Sequence, residues 1–338
     1  MILVLNCGSQ SIKWKIFSEK LKVLDVGERE VLNLTDYEKF LEDEIGKLRD
    51  FEITLIGHRV VHGGQKFIEP TKITSDILLE LEKLNDLAPL HNPYNILGIK
   101  ICARFFDTVS QFAVFDTEFF STLPEKAYTY ALPNNISWEY GFRRFGFHGI
   151  SHQYVAKKAC EISKKQFNKI KIISCHLGGG CSVSAIKNGK AIDTSMGFSP
   201  LSGIVMMTRP GDLDDEIIFR LAGKLGIERT KEIWNKKSGI KGISGANNML
   251  ELLEMIKNSD EKAKLALDVF VYSIQKYIGA YFSILGGCDL LVFTGAIGAG
   301  ISKTRDSVCK DLNILKKTKI LAIETDEELA IAEKIINL

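Results

Sequence analysis

An excess of either charge is missing from this sequence: 44 Lys and Arg face 42 Asp and Glu in 338 residues, a net charge of +2. No chain-wide field is available to gather nucleic acid or an anionic membrane, so neither is an expected partner. Any anion must be held by a local constellation. Disulfide and zinc signatures are missing as well. The seven cysteines (7, 102, 160, 175, 181, 288, 309) are odd in number, with no C-x2-C pair and no His/Cys cluster at zinc spacing. Reduced thiols in the cytoplasm are the reading. The opening MILVLNCGSQS has neither a basic stretch nor a cleavage site, so no signal peptide is expected. A long uncharged apolar run is lacking too. The greasiest stretch, 264–285, carries Asp268, Gln275 and Lys276, whereas a membrane span needs about 20 apolar residues. A long buried helix is expected there. No low-complexity linker appears, although the length suits about two domains.

What is present is an alternation of short β-rich runs and longer helical patterns. ILVLN (2–6) and IKWKIF (12–17) flank a Gly/Ser turn, and ITLIG (53–57) and QFAVFD (111–116) read as further strands. Helices are expected over 75–87 with Ser75 near the N-cap, over 91–106 with Pro93 in the first turn, and over 151–165 with Ser151 as cap. The opening pattern then returns. KIKIISCHL (169–177), the turn GGGCS, VSAIK (183–187), the hairpin signal Asn188-Gly189 and KAIDTS (190–195) repeat strand, glycine turn and hairpin about 170 residues on. DLLVFTGAIGAG (289–300) runs a strand into a third glycine turn, and 319–338 a strand into a terminal helix. Repeated units interleaved with helices argue for two related α/β domains with mixed sheets.

Three glycine turns (8–11, 178–181, 295–300) could bring backbone N–H groups to a polyphosphate, though each alone could be an ordinary tight turn. All six histidines lie between 58 and 176, in polar or glycine-bearing clusters. His148 and His152 have i, i+4 spacing, but Gly149 intervenes and no H-E-x-x-H pattern is present, which makes zinc the minor reading. Arg59 and Arg209 sit in apolar or glycine-containing runs, where an arginine needs an anion: a nearby carboxylate of the chain, or a ligand carboxylate or phosphate. Asp326, Glu327 and Glu328 open the last helix, either as complements to its macrodipole or as acids near a Mg2+ ion.

These residues carry a resemblance. The segments ILVLNCGSQSIKWKIF, IGHRVVHGG, LAPLHNP, AVFDTEFFSTLP, YGFRRFGFHGISH, CHLGGGCSVSAIKNGKAIDTSMGFSPLSGIVMMTR, NKKSGIKGISG, LLVFTGAIGAG and TDEELAIA are similar to the acetate/propionate kinase family from end to end. The resemblance implies an α/β fold of two domains with duplicated ribonuclease-H-like mixed sheets flanked by helices, an active site in the interdomain cleft, and a homodimer. The expected division is 1–119 plus 329–338 for the first domain and 120–328 for the second. It implies reversible, Mg2+-dependent phosphoryl transfer between ATP and acetate, giving acetyl phosphate and ADP.

By motif, the resemblance assigns Asn6, Ser9, Ser11 and Lys13 to phosphate and metal placement. Arg59 is assigned to the acyl carboxylate or the transferring phosphoryl, and Val61, Leu90, Phe147 and Pro200 to the acetate methyl. It assigns Asp116 to orienting an arginine or the metal shell, His148 to a hydrogen bond with the phosphoryl in flight, and Arg209 as the second arginine. His176, Gly178, Gly179, Gly180, Gly295, Ile297 and Gly298 fall on the nucleotide side, and Glu327 is the metal-associated acid, with Glu328 its rival. The chemistry suits these types. A carboxylate nucleophile with a pKa of about 4 is already ionised, so alignment and charge neutralisation remain to be supplied.

The chain is shorter than the family's usual member, with deficits between IKWKIF and ITLIGHR and between CKDLNIL and KILAIETDEEL. Its substitutions fall on the nucleotide side. Gly179 replaces an Asn, Ala299 and Gly300 replace Glu-Asn, and Leu250 replaces an Arg against the base; Phe120 and Ser121 stand for His-Gln. Two readings follow: ATP retained with looser base recognition, or another donor such as pyrophosphate or a different nucleotide. Propionate or butyrate could replace acetate, since one methylene discriminates by only about 1–3 kcal/mol. A non-catalytic acyl-phosphate or nucleotide sensor is the rival from another class. Joint retention of Asn6, Arg59, Asp116, His148, Arg209 and Glu327 speaks against it.

Overall fold

In ILVLNC successive side chains leave opposite faces of the backbone, the period-two pattern of a strand. Leu3, Leu5 and Cys7 enter one apolar cluster while Ile2 and Val4 enter another. This strand, β1 (Ile2–Cys7), therefore has both faces covered, and Asn6 near its end lies on the Val4 face. The computed structural model describes residues 1–8, 11–31 and 36–338; the expectation for Ser9 lies outside the described residues.

β1 pairs antiparallel with β2 (Ser11–Phe17), which pairs antiparallel with β3 (Val23–Glu30). On its other side β1 pairs parallel with β4 (Leu55–Val60). After the short edge strand β5 (Thr71–Lys72), β6 (Ser110–Phe115) lies parallel to β4, and the sheet order is β3-β2-β1-β4-β6-β5. The helices Tyr37–Gly46 and Asn92–Phe105 supply Tyr37, Leu41, Ile45, Ile101 and Cys102 to the Leu3/Leu5 face. The terminal helix Glu327–Ile335 lays Ala330, Ile331, Ala332 and Ile335 against Ile2, Val4 and Phe17 on the opposite face.

The second sheet repeats the plan. β7 (Lys171–Leu177) and β8 (Cys181–Lys187) are antiparallel across the glycine turn, and β9 (Lys190–Thr194) follows through Asn188-Gly189. Both turn residues have positive φ, 53° and 82°, as a type I′ hairpin turn requires. β10 (Leu290–Thr294) and β11 (Lys319–Ala322) extend the sheet in parallel, in the order β11-β10-β7-β8-β9. Hairpin, first strand and two parallel strands thus recur in the same order in both sheets. This is the duplication expected from the sequence, in the ribonuclease-H-like form that the resemblance implies.

Unit 1 comprises Met1–Ser121, Phe147–Tyr154 and Asp326–Leu338, and unit 2 comprises Thr122–Gly146 and Val155–Thr325. These bounds differ from a division at 119 and 329. Phe147–Tyr154 belongs with unit 1 because Gly149 N–H donates to Asp116 O (2.9 Å) and Ile150 packs into the Ile2/Val4 cluster. Glu327 belongs there too, since its carboxylate meets Arg59. Other local expectations shift. Thr74, not Ser75, caps its helix, its Oγ1 accepting from Ile77 N–H. Ser151 lies inside a helix that starts at Gly149, two residues earlier than expected. The 264–285 stretch is part of a helix, Glu261–Leu285, that buries one face (Phe270, Ile274, Ile278, Tyr281) and exposes Leu265, Tyr272 and Ile284. Among the described residues no helix is long and apolar enough to cross a membrane.

Candidate active site

The C-terminal ends of β1, β4 and β6 are neighbours because these strands are adjacent and parallel. They carry Asn6, Arg59 and, just past the strand, Asp116. The Asp116 carboxylate grips Arg59 bidentately, Nε to Oδ1 at 3.2 Å and Nη2 to Oδ2 at 2.6 Å. Arg59 Nη1 meets Glu327 Oε2 at 2.8 Å and Asn6 Oδ1 at 3.3 Å. Asn6 Nδ2 donates to Glu328 Oε1 at 3.2 Å and to Glu327 Oε2 at 3.5 Å. Burial opposes the charge on Arg59, yet Asp116 and then Glu327 outweigh it and hold its pKa above the usual arginine value. Glu327 bears the strain. Burial pushes it up to about 7 against the pull of Arg59, and the like charges of Asp116 and Glu328 push the same way.

Residues that the sequence reading passed over hold this lattice in place. Lys15 Nζ binds Asp326 Oδ1 at 2.7 Å and lies 3.5 Å from Glu328 Oε2, which leaves Glu327 to face Arg59. Asp326 is also the N-cap of the terminal helix, its Oδ1 accepting from Leu329 N–H. The acidic triplet thus both caps the helix and joins the Arg59 lattice. The signal for Lys15 was its alternation with Ser11 and Lys13 opposite the core residues Ile12, Trp14 and Ile16. Asn95 is the second omission. Its Nδ2 donates to Cys7 O (2.7 Å) and its Oδ1 accepts from Val61 N–H (3.0 Å), tying the ends of β1 and β4 together. Asn92, one helical turn earlier, bonds both backbone groups of His62.

Other expected residues of unit 1 lie around the lattice, with Lys13 opposite Asn6 in the β1–β2 register and its charge acting on Glu327. Lys13 pairs with Glu28 at 2.7 Å, and Ser11 O accepts from Gly8 N–H in the first turn. Val61 and Phe147 are buried, whereas Leu90 is 39% exposed. His148 has a positive φ of 60°, unusual for a residue with a side chain, directly before the helix start. The turn is held because Gly149 presses on the strand end: a Cβ there would lie 2.2 Å from Asp116 O.

Unit 2 gathers its own expected residues. β7 and β10 are parallel neighbours with His176 opposite Thr294, so the turns Gly178–Gly180 and Gly295–Gly298 emerge side by side. Gly178 N–H donates to Gly180 O at 3.1 Å, and Ile297 is buried beneath the second turn. Arg209 lies beside Pro200, its Nη1 donating to Pro200 O at 3.2 Å and approaching Met206 Sδ at 3.8 Å. Among the described residues no carboxylate pairs with it. Burial pulls its pKa below the usual arginine value. Its backbone is fixed from behind. Gly239 has φ 65°, and a Cβ there would stand 2.2 Å from Met206 O and 2.6 Å from Arg209 O.

The donors in unit 1 are hard oxygens, Asn6, Glu327 and Glu328 beside Asp116, and carboxylates outnumber the one arginine among them. That excess of carboxylates suits a divalent cation. Among the described residues no three His, Cys, Asp or Glu side chains hold a metal position by themselves. Mg2+ is commonly held by one or two carboxylates, water and substrate phosphates.

The model of the family described as the acetokinase family matches residues 28–335. The acetate kinase of Carboxydothermus hydrogenoformans is 42% identical, covering 100% of this chain and 98% of its own length. Because that alignment runs over 392 positions, the relative carries a substantial amount of chain that the 338 residues here lack. The crystal structure of Porphyromonas gingivalis acetate kinase superposes with a TM-score of 0.90 at 36% identity, covering 99% of this chain and 98% of that one. A propionate kinase from Francisella tularensis subsp. tularensis gives 0.91 at 36% identity, covering 100% and 99%.

Proposed function

Since the chain belongs to the acetokinase family, phosphotransferases with a carboxyl group as acceptor, we propose that it transfers phosphoryl reversibly between ATP and acetate, forming acetyl phosphate and ADP. The observation that carries this reading is Arg209, a partly buried guanidinium held in a rigid turn without a carboxylate partner among the described residues. Such a group calls for an anionic ligand.

The proposed division of labour is the one the resemblance implies, and the chemistry of the residues supports it. Acetate is ionised at neutral pH and needs no general base. Arg209 provides the positive charge for the carboxylate or for the equatorial oxygens of the moving phosphoryl, and His148 provides a hydrogen bond to the same oxygens. Arg59 is held at a fixed orientation by Asp116, with one Nη2 hydrogen left over for a ligand. Val61, Leu90, Phe147 and Pro200 provide apolar surface for a methyl group. Asn6 and Glu327 are the residues to hold Mg2+, with Glu328 turned toward Asn6 and Lys15. When bound, Mg2+ neutralises phosphate charge and helps align the phosphoryl group. The backbone N–H groups of the Gly178–Gly180 and Gly295–Gly298 turns, with Ser9, Ser11, Lys13 and His176, serve the donor's phosphates.

A homodimer and a cytoplasmic setting complete the reading. The helix Asp215–Leu225 buries none of its residues within the chain and exposes Ile217, Phe219 and Leu225, which supports self-association. All seven cysteines are free, as in a reducing compartment. One observation favours a second donor reading. Leu250, where the resemblance places a base-stacking Arg, is 70% exposed. The test is hydroxylamine trapping of acyl phosphate with acetate and Mg2+, comparing ATP, GTP and pyrophosphate. Product with ATP that disappears in Arg209→Ala supports the reading. Product with pyrophosphate alone moves the donor, and no product with any donor from folded protein moves the sensor reading forward.

A further inference from the structure

The terminal helix is tied to the Asp116 segment twice, once through Arg59 and once directly. At its N-terminal end Glu327 reaches Arg59, which Asp116 holds. Seven residues on, Lys334 Nζ lies 2.5 Å from Oε1 of Glu118, two residues after Asp116. A separation of seven returns to nearly the same face of a helix, about 10 Å along its axis. Both contacts therefore come from one helical stripe: one reaches Asp116 through Arg59, and the other meets Glu118 directly. One contact would let the helix pivot or turn about it, whereas two fix its rotation.

The second contact is a poor choice for stability alone. The pair is largely enclosed, with 15% of the Lys334 side chain and 12% of the Glu118 side chain exposed. Glu118 Oε2 is buried with no hydrogen-bond partner among the described residues. Two desolvated charges with an unsatisfied carboxylate oxygen gain little over an apolar pair of the same size. The remaining stripe of the helix, Ala330, Ile331 and Ile335, is already apolar and buried, so grease at 118 and 334 would have extended an existing core. What an ion pair adds to grease is direction: it is satisfied at one rotation of the helix.

We propose that Glu118 and Lys334 are positioning residues, a latch that sets the rotation of the terminal helix so that the Glu327 carboxylate stays on Arg59 and open to the cation. Neither touches substrate. Both act through Glu327. The inference rests on the reading of Arg59 and Glu327 as parts of the phosphoryl-transfer site.

The experiment uses the full chain with Lys334→Met, Glu118→Gln and the exchanged pair E118K/K334E. Lys334→Met is expected to lower kcat on the order of 10-fold, the scale of a small misplacement. The Mg2+ concentration for half-maximal rate is expected to rise several-fold by the same misplacement. KM for acetate should stay within about twofold, since Arg209 and Asp116 are untouched. Melting temperature should fall in each single variant, which leaves one buried charge unpaired, and should recover in the exchanged pair. The exchanged pair should recover most of the kcat. Amide exchange in metal-free protein supplies a readout independent of turnover: residues 327–331 should exchange faster in Lys334→Met and return toward wild type in the exchanged pair. Unchanged kcat and Mg2+ dependence in both single variants, beside an active wild type, would overturn the latch. So would a lowered melting temperature with normal turnover per folded molecule, which marks a merely structural pair. A wild type that forms no acyl phosphate overturns the underlying reading instead, and the exchange data still decide the latch.

Discussion

Arg59 and Arg209 look alike in the sequence and differ in kind in the fold. Arg59 is largely taken up by the chain itself: Asp116 takes two of its N–H groups, Glu327 and Asn6 share a third edge, and one Nη2 hydrogen is left. Arg209 has one backbone carbonyl and a thioether. A carboxylate is not the only remedy for a buried arginine. Arg144 does without one by bonding the carbonyls of Ala127, Thr194, Ser195 and Met196. Arg209 has neither remedy. The contrast separates a strut from a receptor. A guanidinium that neutralises the chain's own acids is part of the scaffold, and one left wanting an anion is the proposed place for a ligand to supply what the fold withholds.

The contrast can be broken in several ways. The largest effect is expected from Arg59→Ala, which strands Asp116, Glu327 and Glu328 around an empty centre. Removing one partner of a buried pair costs about 3–5 kcal/mol, so both acyl-phosphate formation and the denaturant midpoint should collapse. If turnover alone fell, the strut would be a receptor after all. Arg209→Ala comes next. Acyl-phosphate formation should drop about 10²–10³-fold, the scale of losing a transition-state donor. Stabilisation of the protein by added acetate or phosphate, read by calorimetry, should vanish with it.

Glu327→Gln sharpens the comparison through pH. Glu327 binds its proton more tightly in the folded protein, up to about 7 from 4.5, so its contribution is full below 4.5 and is lost as pH rises through 7. Buried His58, bonded to Gln111 at 2.7 Å, is driven down by burial to about 4 from 6.5; its contribution is present above 6.5 and lost as pH falls through 4. The two slopes oppose each other over most of one window. Metal-free Glu327→Gln should therefore show stability rising more steeply from pH 4 to 6.5 than wild type, measured as melting temperature against pH. Parallel curves would mean that Glu327 is not raised.

The smallest effect belongs to Gly179→Asn. Nothing lies within 4 Å of a Cβ at Gly179, and its φ is not in the left-handed region. The fold should tolerate the change, and KM for ATP should fall a few-fold if the added amide finds a phosphate, a net hydrogen bond being worth about 0.5–1.5 kcal/mol. No change in KM would assign the missing Asn to drift.

Much of this was legible in the sequence, and the boundary is physical. Period-two runs and glycine turns announced the duplicated sheets because strand and turn signals are local. Asn6, Arg59, Asp116 and Glu327, which the fold brings together, were named through motif resemblance. Their partners were not. That Arg59 would meet Asp116 and Glu327 while Arg209 would meet no acid depends on contacts between residues up to 268 positions apart. Lys15, Asn95, Glu118 and Lys334 were missed for the same reason: a lysine on a strand or an asparagine in a helix looks solvated until its neighbours are known. Ser151 was misread as a cap because the true start of its helix is fixed by Gly149 bonding to Asp116, a tertiary contact.

The most direct measurement is the ligand-free melting temperature of Arg59→Ala and Arg209→Ala beside wild type at pH 8. A strut and a receptor should move it in opposite directions. Arg59→Ala should melt well below wild type, because its acids are left facing one another, and Arg209→Ala should melt at or above it, because an uncompensated buried charge is gone. Equal losses in both variants would contradict the distinction and leave Arg209 as one more structural arginine.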